Sequence, residues 1–206
     1  GGYGKYLAES KKKGTAQEKT EQKYEKEDYA EAKELLLRAV GEYPHNLGEG
    51  KLESGQENNL YYLLGLVQEK LGEAKDAFES LTRACCGESE PVGMMYYNDQ
   101  PPEMIYYQGL AYRMLGEEEQ AVRRFQKLVD YGREHIRDDV KIDYFAVSLP
   151  DLLIFEENLN ERNRKHCLFM MSLGLKGLGR IDEAEKCAEE LLAMDNAHQE
   201  IRVHDL

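Results

Sequence analysis

Residues 105–128 read IYYQGLAYRMLGEEEQAVRRFQKL, and their spacing decides the fold. Gly109 is followed after seven positions by Gly116, after twelve by Ala121 and after sixteen by Phe125. Ile105, Tyr112, Leu115, Phe125 and Leu128 recur at helical intervals, which gives each half of the segment one apolar stripe. Leu115-Gly116 interrupts the pattern, and glycine accepts the left-handed backbone that ends a helix. The spacing therefore predicts two antiparallel helices, with Gly109 and Ala121 where the two approach most closely and a larger side chain would force them apart.

The same pattern occurs twice more. Gly65, Gly72, Ala77 and Leu81 form one set, and Ser172, Gly179, Ala184 and Ala188 form another. A fourth, partial match runs through Tyr24, Tyr29, Ala32, Leu36, Ala39 and Pro44, with a polar first helix expected within 15–26 and a second over 31–43. These residues resemble the tetratricopeptide repeat, a helix-turn-helix unit that stacks into arrays. The resemblance implies an all-α fold, a TPR-like right-handed α-solenoid of antiparallel helix pairs. Repeats are expected at about 29–44, 58–86, 102–131 and 165–196, after a polar, partly helical segment over 1–28. Ala32, Ala77, Ala121 and Ala184 are spaced by 45, 44 and 63 residues, so insertions separate the repeats. The longest covers 132–160, with a helical pattern over 135–145 that breaks at Pro150.

Composition narrows the partner classes. Lys and Arg number 27 against 40 Asp and Glu, a formal charge of −13, which repels nucleic-acid phosphates and anionic lipid. The basic run Lys11, Lys12 and Lys13 reads as a solvated helix or tail. No apolar run is long enough to span a bilayer. Cys85, Cys86, Cys167 and Cys187 lack CxxC spacing and read as free thiols of a cytoplasmic protein rather than a disulfide framework or zinc site. The chain opens on Gly1-Gly2 without Met and reads as a piece of something longer.

Over roughly 30–206 the chain also resembles a narrower group of large, mostly bacterial TPR proteins that carry a mutarotase-like β-rich domain upstream. The stretches that carry this resemblance are YPHNLGEGK at 43–51, YYND at 96–99 and DYFAVSLPD at 143–151. It implies an accessory helical part of a larger carbohydrate-active protein, with the insertions turned toward the upstream domain. It supplies no catalytic residues.

No catalytic, cofactor or metal site stands out in the residues themselves. His166 and Cys167 are adjacent, and neighbours on a helix point about 100° apart. Asp138-Asp139 and Glu156-Glu157 are acidic pairs of a kind that 40 acids produce by chance, and no HExxH spacing occurs. The sharper signal lies on the first helix of each pair, which lines the inner groove in a tetratricopeptide array. Three positions before Gly65, Gly109 and Ser172 stand Tyr62, Tyr106 and Phe169, all aromatic. Asn59, Leu66, Arg113, His166 and Lys176 lie on the same faces. Aromatic rings give large contact area at low entropic cost. The expected function is a non-catalytic interaction or scaffolding module that holds a protein, a peptide or an upstream domain of its own chain. That expectation requires Tyr62, Tyr106 and Phe169 to be accessible within one concavity. Self-association through the aromatic or insertion surfaces is a further expectation.

Overall fold

The computed structural model describes residues 18–41, 56–93, 99–140 and 159–195, with the side chains of the first helix from residue 28 onward. Seven helices occur among the described residues: α1 (Glu18–Gly41), α2 (Asn58–Leu71), α3 (Ala74–Ala84), α4 (Pro102–Met114), α5 (Glu118–His135), α6 (Leu159–Gly177) and α7 (Ile181–Met194). No strand is present among those residues, so the fold is all-α and built from TPR-like helix pairs. Two compact units divide inside α5. The first takes the described residues up to Glu90 and Glu103–Arg124, and the second takes those of Pro91–Pro102 and from Phe125 onward.

The turns of the three pairs are closed by the same hydrogen bonds. Gly72, Gly116 and Gly179 have φ of 81°, 77° and 75°, the left-handed conformation that only glycine adopts without strain. The amides of Gly72, Gly116 and Gly179 donate to Glu69, Arg113 and Lys176, each at 3.0 Å. The next residues, Glu73, Glu117 and Arg180, donate to Gln68, Tyr112 and Leu175 at 2.8–2.9 Å. This double closure satisfies carbonyls that a helix end would otherwise leave open. The second helix then begins identically in each pair, with Ala77, Ala121 and Ala184 donating to Glu73, Glu117 and Arg180.

Small residues sit where the pattern requires them. A Cβ on Gly65 would lie 2.7 Å from Leu81 Cγ, and Ala77 and Leu81 are fully buried beside it. In the second unit, Ser172 is fully buried and bonds back to the Phe169 carbonyl at 2.7 Å. Gly174 and Gly177 bring α6 onto Phe125, Leu128 and Val129 of α5. Amide side chains tie helix ends together as well. Asn58 donates to the carbonyls of Ala84 and Cys86 at 2.8 and 2.7 Å, and Asn163 donates to that of His135 at 2.7 Å.

Two expectations from the sequence do not hold. The partial first pair is one continuous helix, α1, which runs across the expected boundary at residues 28 and 29. Its cause is plain: no glycine or proline occurs between Glu18 and Val40, and the Glu, Lys, Ala and Leu that fill this stretch favour helix. Of the helical pattern read over 135–145, only His135 lies in a helix among the described residues: residues 136–140 form a turn and irregular chain, and 141–145 lie outside the described residues. The insertion stretches at 43–51 and 143–151, and all but Asp99 of 96–99, lie outside the described residues.

Candidate functional site

By repeat position along the sequence the predicted residues fall into three sets. Asn59 and His166 share one position, Tyr62, Tyr106 and Phe169 a second, and Arg113 and Lys176 a third.

In the first unit, three tyrosines cluster on α2 and α4. Tyr62 packs on Tyr107 at 5.5 Å between ring centroids, and Tyr106 meets Tyr107 edge-on at 5.8 Å. Tyr62 is half-buried and backs onto the core of Ala77, Leu81, Ala84, Ala111 and Leu115. Tyr106 is only 6% exposed, so it supports the cluster from beneath rather than presenting a ring to a ligand. Burial pushes the Tyr106 hydroxyl up to about 12, with Tyr62 and Tyr107 adding to the shift. The Tyr62 and Tyr107 hydroxyls are raised for the same first reason, helped by Glu69 and Glu103 respectively. All three phenols are therefore neutral donors at physiological pH.

Arg113 stands near this cluster, close enough that its charge lowers the titration of both Tyr62 and Tyr106. Glu118 at the start of α5 grips it with two parallel bonds, Nε to Oε2 at 2.9 Å and Nη2 to Oε1 at 2.6 Å. That hydrogen bond holds the Glu118 carboxyl below its ordinary value. The pair is exposed and contributes little stability, but it fixes the direction of the guanidinium. Asn59 and Leu66 are half-buried on the same helix as Tyr62.

In the second unit the predicted residues are less open. Phe169 is only 4% exposed, so the expected accessibility fails there as it does for Tyr106. The reason is visible in the chain, since 167–175 (CLFMMSLGL) is apolar or small on every side and this stretch of α6 is buried all round. His166 is half-buried, and its Nε2 lies 2.8 Å from the Val92 carbonyl. Burial lowers its pKa, while that hydrogen bond acts in the opposite direction. The neighbouring Cys167 turns to Asn163 at 3.7 Å, and burial pushes its thiol up to about 12. The two side chains thus have different partners and form no dyad. Lys176 is half-buried.

The tetratricopeptide repeat family model matches residues 103–131. The match covers α4 and most of α5, the pair whose sequence shows the pattern most fully. No solved structure matches the chain significantly. Tetratricopeptide repeats generally mediate contacts between proteins. Among the described residues no helix is long and apolar enough to cross a membrane, and no three His, Cys, Asp or Glu side chains converge on a metal site.

Two contributors were not singled out from the sequence. Tyr107 joins Tyr62 to Tyr106, and the Tyr-Tyr doublet repeated at 61–62 and 106–107 was the available signal. Glu118 is one acid among three in a row, and nothing in its spacing marks it as the partner of Arg113.

Proposed function

We propose that this chain is a protein-interaction module that takes up a peptide or a neighbouring domain against the aromatic face of α2 and α4. The observation that carries this reading is the packed tyrosine cluster, with half-buried Tyr62 and Tyr107 at its surface and Arg113 clamped beside them by Glu118. Rings held this way lose little freedom on binding, and a directed guanidinium recognises carboxylates or carbonyls. Asn59 and Leu66 extend the face along α2. In the second unit His166 and Lys176 are the groove candidates, and Phe169 serves the core beneath them.

The test is affinity capture from a lysate of the source organism, comparing the full chain with a Tyr62→Ala, Tyr107→Ala variant of equal helicity by circular dichroism. Proteins retained by the parent chain and lost by the variant are the expected result. Identical retention by both would remove this face as the binding surface.

A further inference from the structure

Repeat symmetry identifies a second surface, separate from the tyrosine face. In each pair the second helix is covered by the first: Ala77 and Leu81 of α3 are fully buried against Gly65 of α2. The equivalent residues of α1 are Ala32 and Leu36, forty-five positions earlier, and both are only half-buried. The next position makes the difference clearer. Ser80 of α3 lies 2.7 Å from the Gln68 side chain of its own first helix, and Arg124 of α5 lies 3.1 Å from that of Gln108 in α4. The residue of α1 at this position is Leu35, which is 56% exposed. α1 is therefore a second helix whose first helix is missing among the described residues.

The neighbouring helix carries the same mark. Tyr107 of α4 packs on Tyr62 of the preceding first helix. Its equivalent in α2, forty-four positions earlier, is Leu63, which is 40% exposed. Leu35 and Leu63 are thus the two positions that a preceding first helix would cover, one on each helix of the pair that would flank it.

We propose that α1 and α2 form a berth for an amphipathic helix supplied by another polypeptide, seated as the missing first helix of a repeat. The chain's own first helices specify its chemistry. Each has a small residue at the crossing point, an aromatic residue three positions earlier, and a basic residue in the last turn: Tyr62, Gly65 and Lys70; Tyr106, Gly109 and Arg113; Phe169, Ser172 and Lys176. The small residue admits α1 at Ala32 and Leu36, and the aromatic ring covers Leu63. Antiparallel packing brings the basic last turn to the Asp28 and Glu31 side of α1, where both carboxylates are exposed and have no ion pair among the described residues. In α4 and α5 the same end is closed by Arg113 and Glu118.

The probe is a fluorescent synthetic peptide with the sequence of residues 57–72, titrated into the full chain and read by anisotropy. Saturable binding is expected. It should weaken at least tenfold with Leu35→Lys in the protein, or with leucine in place of Gly65 in the peptide. Leu35 is exposed, so circular dichroism should show the variant unchanged. A Leu35→Cys chain should react with maleimide far faster at residue 35 than at the buried Cys167. No saturable binding up to millimolar peptide, or equal binding by the Leu35→Lys chain, overturns the proposal. Slow labelling at residue 35 would mean that the chain fills the berth itself. A dimer in sedimentation that Leu35→Lys converts to monomer would mean that a second copy fills it. Either result also overturns the proposal. The tyrosine variant of the preceding section leaves Leu35 untouched, so the two readings fail independently.

Discussion

Gly174→Ala sets two known effects against each other. Alanine is the best helix former, and replacing an interior helical glycine with it should stabilise α6 by about 1 kcal/mol if nothing else changed. At Gly174, however, an added Cβ would lie 2.6 Å from the Phe125 carbonyl oxygen and 2.7 Å from Val129 Cγ2, where ordinary contact begins at 3.4 Å. The first of these atoms belongs to the backbone of a buried helix and cannot rotate away. Relief requires α5 and α6 to separate by several tenths of an ångström along a face that includes fully buried Phe125, Leu128, Val129 and Leu173. Overpacking of this kind costs about 1–3 kcal/mol, and two contacts this short, one of them to backbone, place Gly174 in the upper part of that range, so the net expectation after the helix gain is destabilisation by about 1–2 kcal/mol. For a chain of 206 residues that corresponds to a midpoint lowered by roughly 2–8 °C. Thermal unfolding followed at 222 nm (the helical signal) measures it. Gly41→Ala is the control, because nothing lies within 4 Å of its added Cβ, and it should be neutral or slightly stabilising. A Gly174→Ala chain as stable as the parent, or more so, would refute the close approach of α5 and α6.

Gly116→Ala tests the turns. Its φ of 77° costs a non-glycine residue about 1–2 kcal/mol, and Gly72→Ala should lose a similar amount because the two closures share their hydrogen bonds. Asn58→Leu should destabilise by about 1–3 kcal/mol in urea titration, since it strips a 3% exposed donor from the carbonyls of Ala84 and Cys86. His166 gives a pH dependence with a definite sign. Burial depresses its folded pKa below the ordinary 6.5, while Asp99 and the Val92 carbonyl oppose the shift and Arg162 adds to it. The unfolded chain therefore binds the proton first, so the histidine's contribution is complete above about 6.5 and is lost as pH falls through the lower folded value. Denaturant midpoints between pH 7.5 and 5 should fall less for His166→Gln than for the parent.

Much of this fold was legible because the repeat is written in residues that have no substitute. Gly72, Gly116 and Gly179 hold a backbone conformation that other residues resist, and Ala77, Ala121 and Ala184 occupy crossings without room for more. What failed was inference from likeness where the local chain disagreed. Ala32, Leu36 and Ala39 match the second helix of a repeat, and all three lie in α1. The matching turn was expected from the repeat, although the stretch from Glu18 to Val40 contains no residue to make one. The aromatic row failed in a different way. Its position on the first helix was read correctly, but exposure depends on what packs around each ring. Tyr62 sits at the edge of a cluster, while Phe169 sits in a stretch that is apolar on every side. Helical periodicity reports a direction, and only neighbours decide whether that direction meets solvent.

That distinction also separates the two surfaces assigned to the first unit. Tyr62 and Tyr107 are half-buried because they already pack on one another, so they form a preorganised patch whose ligand adds to a finished structure. Leu35 and Leu63 are exposed for the opposite reason, since among the described residues no helix covers them as their equivalents elsewhere are covered. A partner at the tyrosine face would be read through ring contacts and Arg113, and would tolerate an extended peptide. A partner at the berth would be helical, because it takes the place of the first helix of a repeat. The two surfaces should therefore select different ligands: flexible peptide segments at the first, preformed or induced helices at the second.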